Sequence, residues 1–267
     1  MEPVAEKEML GMIKNLSETE YIKRIRSHFV VRDVDIPHAR YIRVGRPLDG
    51  GYIMLDDFDR VTVAYSAGIS NEISWDKAMT SISAEHRGGE KIDVFMYDHT
   101  INALPEENPN FHWSKTGLTG VFEPNHPELE TLPRLIQKNG HGYDYDMILK
   151  MDIEGAEYNV LQAIDTDTLN HFSQIVMEIH FLLNPKYENL IGFCLDKLNA
   201  THQLVHIHAN NHGSYLVRGG LVLPDVVEAT YLRRADYNFI KSQRFFPTAI
   251  DRPCNPISPE INLGYWG

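Results

Sequence analysis

Between Tyr41 and Arg234 the chain alternates short apolar runs with stretches whose apolar residues recur three and four apart. A short apolar run bounded by turn residues predicts a buried strand, and the wider spacing predicts one face of a helix. On this pattern strands are predicted at Val61–Tyr65, Lys91–Asp98, Phe111–Gly120 with its loop, Asp146–Met151, Gln174–Phe181, Gln203–Asn211 and Val226–Arg234. Helices are predicted over Glu6–Phe29, from Trp75 through Met79, over Leu129–Asn139, from Tyr158 to Ile164 and around Leu190–Leu198. The last two strands follow one another without an obvious helix, so the seventh is expected to run antiparallel. Alternation of this kind predicts an α/β, Rossmann-like fold, a seven-stranded and mostly parallel sheet with helices on both faces. The expected organisation is an N-terminal helical cap at residues 1–40, a main domain at 41–240 and an arm at 241–267 packed on it. The arm carries Pro247, Pro253, Pro256 and Pro259, which favour extended chain over helix.

In sheets of this kind ligands bind beyond the carboxyl ends of the strands, and polar residues gather at those ends. Asp152, Glu154, Gly155 and Glu157 follow the run that closes at Met151. Val61–Tyr65 leads into Ser66, Gly68, Ser70 and Asn71, and Asp98 closes the next strand 30 residues after Gly68. A lone Gly68 is not Gly-x-Gly-x-x-Gly, which argues against a pyrophosphate pressed onto the turn. A carboxylate accepts hydrogen bonds from both hydroxyls of a ribose, which suits Asp98. Alternation places Glu178 with His180 on one face of the fifth strand, and His206 with His208 on one face of the sixth. Upstream, Asp49-Gly50-Gly51 between two apolar segments is either a plain hairpin turn or a loop whose glycines let the backbone approach a ligand. In the second case Asp49 and Tyr52 project into the site.

Composition acts mainly by exclusion. Across 267 residues the 25 basic and 37 acidic side chains leave a formal charge of −12, which repels phosphate backbones and disfavours nucleic acid as a partner. Cys194 and Cys254 form no disulfide framework or zinc spacing, as expected of a reduced, cytoplasmic protein. No apolar run approaches the ~20 residues of a membrane helix. Glu2, Glu6 and Glu8 make a start unlike that of a signal peptide.

The strand–helix alternation, the Gly68 turn, the acid at Asp98 and two final strands joined without a helix together resemble the class I S-adenosyl-L-methionine-dependent methyltransferases. Within that class, Leu149–Glu157 followed by Ile175–His180 is similar to the FkbM family. Asp49-Gly-Gly-Tyr52, Tyr65–Ile69 and His208–Asn211 are similar to its methyltransferase-like branch. The resemblance spans about Tyr41 to Arg234. It implies O-methylation of sugars, of glycan precursors such as those of a bacterial capsule, or of polyketides. It also implies that Gly68 lies under the methionine part of the cofactor and that Asp98 holds the ribose. The chain departs from the class pattern in having one glycine in the first loop and Tyr65-Ser66 where many members place an acid. The amino-acid end of the cofactor would then depend on Ser66, Asn71 and the turn at Asp49, Gly50, Gly51 and Tyr52.

An alcohol needs a base or a metal to shed its proton near neutral pH. Asp152, Glu154, Glu178, His180 and His208 are the candidates, with His180 as the base, oriented by Glu178 or Asp152. In a metal-assisted version Asp152, Glu178 and an Asn or His hold Mg2+, while His206 and His208 suggest a softer ion. Glu154 and Glu157 also suit a capping role at the start of the following helix. The acceptor is a small molecule or glycan precursor; an anionic one, such as a sugar phosphate or phosphoramidate, would meet Arg43, Arg46, Lys115, Arg218, Arg233 or Arg234. The helical start and the arm are candidate homodimer surfaces. The rival function is a nicotinamide-dependent oxidoreductase, which shares Asp98 but lacks both the glycine fingerprint and a Tyr-x-x-x-Lys dyad.

Overall fold

The computed structural model describes residues 4–142 and 146–267. In chain order its elements are α1 (Val4–Ser27), β1 (Arg32–Val34), β2 (Tyr41–Val44), β3 (Tyr52–Leu55), β4 (Val61–Ala67), α2 (Ser74–His86), β5 (Asp93–Tyr97), β6 (Phe111–Ser114), β7 (Gly117–Thr119) and β8 (Leu129–Thr131). There follow α3 (Leu132–Lys138), β9 (Asp146–Met151), α4 (Glu157–Ala163), α5 (Thr166–Leu169), β10 (Phe172–Ile179), α6 (Glu188–Thr201), β11 (His202–Ala209), β12 (Tyr215–Arg218), β13 (Leu221–Pro224), β14 (Val227–Arg233), β15 (Phe239–Lys241), β16 (Phe245–Phe246) and β17 (Gly264–Tyr265).

Seven strands form the central sheet in the order β11-β14-β10-β9-β4-β5-β6. The pairs β10·β9, β9·β4, β4·β5 and β5·β6 are parallel. β14 runs antiparallel to both β10 and β11, between which it is inserted, as the missing helix before it predicts. β9, β10 and β11 are almost wholly buried, the expected state of strands covered on both faces.

Side-chain alternation gives the two faces opposite characters. Val63, Tyr65, Met147, Leu149, Met151, Ile175, Met177 and Ala229 join one large apolar cluster with Ile22 and Ile25 of α1, Tyr158 and Leu161 of α4, and Leu195 of α6. The intervening positions turn the other way, toward α2, the β2–β3 hairpin and the C-terminal arm, and there Ser66, Lys150, Gln174, Glu178, Glu228 and Thr230 are buried polar groups. A register shift between Leu204 and His206 in β11 brings His206 and His208 to this same polar side. The hairpin is fastened to it by Gln174, whose amide accepts from Leu55 N at 3.2 Å and donates to Leu55 O at 3.0 Å.

The arm wraps back over the domain. Asn211 donates to the carbonyls of Asn255 and Ser258 at 2.9 and 3.1 Å and accepts from Asn255 N at 2.7 Å. Trp266 packs edge-on against Phe29 with the Arg26 guanidinium over its ring. Two expected elements differ in detail. The third strand ends at Ser114 and the chain re-forms as β7, and the helix expected from Leu129 begins at Leu132 because Leu129–Thr131 pair with β7. Among the described residues no helix is long and apolar enough to cross a membrane.

Candidate active site

The carboxyl ends of β4, β5 and β9 open into a cleft of about 440 Å³. At its floor Gly68 has φ +78°, and a Cβ there would stand 1.5 Å from the carbonyl oxygen of Asp152. Two strand ends touch at this point, and only a residue without a side chain lets them. Lys150, buried in β9, donates from Nζ to Gly68 O at 2.8 Å and ties the same two strands together. Asp98 stands at the next strand end. One carboxylate oxygen accepts from Ile69 N at 2.9 Å and Ser70 N at 2.8 Å, and the other accepts from the amide and hydroxyl of Thr100 at 2.7 and 2.6 Å. Burial favours its neutral form, but the bonds from Thr100, Ser70 and Ile69 outweigh it and hold the group ionised below the usual carboxylate range.

Beside the cleft the polar face of the sheet packs acids unusually close. Glu178 of β10 stands directly opposite Glu228 of β14 in the antiparallel register. His180 lies between Glu157, 3.2 Å from Nδ1, and Glu178, 3.3 Å from Nε2. Burial pulls the imidazole toward neutrality, yet Glu157 and Glu178 push its pKa up to about 11, so it is an imidazolium donating to both acids. Asp152 and Glu178 are both shifted up, chiefly by burial and partly by like charge. Glu157 also accepts from Ile153 N at 2.9 Å, closing the turn into α4. The backbone is left-handed at Glu154 and at Phe181, with φ +57° and +62°, and these two residues flank His180 in space. Left-handed non-glycine residues are costly and gather at functional sites.

The expected site residues separate into three sets. Asp49, Gly50, Gly68, Asn71, Asp98 and Asp152 line the cleft. Gly51, Tyr52 and Ser66 do not: Ser66 points under the floor because it alternates with Tyr65, and the Tyr52 ring is buried between hairpin and sheet. Glu178 and His180 stand behind Asp152, and His208 stands two strands further along the sheet, on β11 beyond β14. His208 is bound to Glu228 at 2.7 Å and Glu260 at 3.1 Å, and these acids override burial and raise its pKa to about 10. The expectation that His180 serves as the free base meets a physical obstacle, because an imidazole held as a cation by two buried acids has no lone pair to offer.

Several polar groups went unnoticed in the sequence. Asp76 is buried in the first turn of α2 beside Ser66 and Lys150, supplying an acid near the first strand that the chain lacks at Tyr65-Ser66. Lys150 interrupts an apolar run, which is the trace a buried lysine leaves. Glu228 lies at the start of a strand, where a search of strand ends does not look, and Asn210 donates to Glu178 at 2.7 Å.

A mostly parallel sheet with one strand inserted antiparallel, helices packed on it and a cleft over its central strand ends is a Rossmann-like α/β fold. Residues 105–203 match the family model described as the methyltransferase FkbM domain, which bears out the resemblance carried by Leu149–Glu157 and Ile175–His180. No curated protein matches the chain. Among solved structures, a protein from Streptococcus mutans provisionally described as a SAM-dependent methyltransferase shares 10% identity at a TM-score of 0.32, over 74% of this chain and 56% of that one. The chain thus spans little more than half the length of that protein.

Proposed function

We propose that the chain is an S-adenosyl-L-methionine-dependent O-methyltransferase acting on a carbohydrate or a related glycan precursor. The observation that carries this is the cleft in which Gly68 lies against the Asp152 carbonyl while Asp98 stands ionised at the neighbouring strand end. These residues fit the cofactor. Asp98 suits a ribose, the glycine turn makes room for the methionine portion, and Asn71 with the Asp49-Gly50 loop offers polar groups to its amino-acid end. A single glycine leaves less room than a pyrophosphate asks for, and the antiparallel β14 departs from the all-parallel dinucleotide-binding sheet, so a nicotinamide cofactor suits the site less well.

Bound there, S-adenosylmethionine supplies an electrophilic methyl group on a sulfonium. The chain's own task is to hold an acceptor oxygen in line and to receive its proton. Asp152 faces the cleft with its proton affinity raised, so it suits the base. His180, as a cation between Glu157 and Glu178, keeps those acids in place. Arg46 lines the cleft paired with Glu72 at 2.7 Å, so an anionic acceptor would compete with Glu72 for it, while Asp49, Asn71 and Glu154 suit hydroxyl groups.

Calorimetry with S-adenosylhomocysteine tests this. Wild-type protein is expected to bind it, and Asp98→Asn to bind at least tenfold more weakly. With sugar phosphates and nucleotide sugars as acceptors, Asp152→Asn is expected to lower kcat by about 100-fold while leaving S-adenosylhomocysteine affinity nearly unchanged. Wild-type protein that ignores S-adenosylhomocysteine but quenches reduced nicotinamide fluorescence on binding it would overturn the proposal.

A further inference from the structure

We propose that Asp49, Glu178 and Glu228 form a site for one hard divalent cation, Mg2+, Mn2+ or Ca2+, at the wall of the cleft. One carboxylate oxygen from each lies within 4.8 Å of the other two. The three come from separate parts of the chain: the hairpin loop, the end of β10 and the start of β14. Glu178 and Glu228 are directly paired across the strands, and like charges so placed repel unless something lies between them. Both are almost fully buried, so relief comes from neighbouring groups and not from water: His180 stands 3.3 Å from Glu178 and His208 2.7 Å from Glu228, each on the flank of the pair.

A second observation points at the same spot. Tyr52 is only 1% exposed, and its hydroxyl has no hydrogen-bond partner, although Asp152, Glu178, Glu228 and Asp49 are its charged neighbours. A buried hydroxyl without a partner is costly. An ion held by the acids, or a water on that ion, supplies the missing partner.

The donor set is all oxygen, which selects a hard cation. His208, Glu228 and Cys254 also lie within 4.8 Å of one another. However, both nitrogens of His208 are engaged with Glu228 and Glu260, so a thiophilic ion there would have to displace those pairs. Because Asp49 lines the cleft, an ion on it lies within reach of an acceptor hydroxyl and lowers that hydroxyl's pKa. This last consequence rests on the methyl-transfer proposal; the binding of the ion does not.

Mn2+ titrated into the purified full chain, followed by the electron paramagnetic resonance signal of the free ion, reads the site without cofactor or acceptor. Wild-type protein is expected to take up one equivalent, displaceable by Mg2+ or Ca2+. Asp49→Asn and Glu228→Gln are expected to weaken uptake at least tenfold, and Cys254→Ser to leave it unchanged. Circular dichroism melts establish that each variant is folded; should Glu228→Gln fail to fold, Asp49→Asn in its loop still decides. No uptake by wild-type protein, uptake undiminished in folded Asp49→Asn, or loss of uptake in Cys254→Ser would each overturn the proposal. None of these results alters the outcome with S-adenosylhomocysteine, so the two proposals fail separately.

Discussion

Gly68 shows how much one missing side chain can set. Its φ of +78° is strained for any other residue, and the Asp152 carbonyl occupies the place where a Cβ would go. Gly68→Ala therefore meets both strain and collision, a loss above about 3 kcal/mol, which for a chain of this size is a fall in Tm of roughly 6–12 °C. Thermal denaturation checks it, and a variant melting with the wild type would show that the floor yields. Gly68, Asp98 and Asp152 were legible in the sequence because each follows a short apolar run, and strand ends are where such a sheet meets its ligands. Ser66 does not reach the cleft: it stands close to Gly68 in sequence, but it lies within β4 and is buried against Asp76 of α2, whereas Gly68 lies past the strand end in the turn.

At the level of elements, the β2–β3 hairpin owes its position to Gln174, which bridges to both backbone groups of Leu55 and to the carbonyl of Asp57. Gln174→Leu would leave a buried amide and carbonyls unpaired, at a cost of about 2–5 kcal/mol. Since the hairpin loop carries Asp49 and Gly50, the variant is expected to lose S-adenosylhomocysteine affinity as well as stability. Hydrogen exchange confined to residues 41–55 would locate the damage, and a melting temperature equal to that of wild type would refute it. All seven central strands could be read from apolar runs, and the reversal of β14 from the missing helix. The short pieces β1, β12, β13, β15, β16 and β17 could not, because strands of two to four residues carry too little pattern. The shift in β11 was equally silent, since an extra residue changes the facing of His206 and His208 without altering the hydrophobic run.

For the whole molecule, acid stability depends partly on groups far from the cleft. His202 is completely buried, its Nε2–H donating to Phe172 O at 2.8 Å, and burial lowers its pKa to about 4 from an ordinary 6.5. Above 6.5 the ring is neutral whether the chain is folded or not, and this contribution is fully present. Between 6.5 and 4 only the unfolded chain takes up the proton, so stability is lost as pH falls through that window and levels off below it. The expected loss is about 3 kcal/mol. Melting curves from pH 7.5 to 4 are expected to show a shallower decline for His202→Gln than for wild type; identical slopes would exclude His202 as a source. The sequence offered no sign of this, because a histidine opening a strand looks the same whether its ring is solvated or sealed in.

The order in which the cleft and the paired acids are encoded has a consequence for inheritance. Apart from Arg46, Asp49 and Gly50 of the hairpin loop, the lining of the cleft comes from residues 68 to 156. The paired acids Glu178 and Glu228 lie beyond it, in β10 and β14. A recombination event falling between Glu157 and Phe172 would thus exchange these two acids while leaving the lining of the cleft whole.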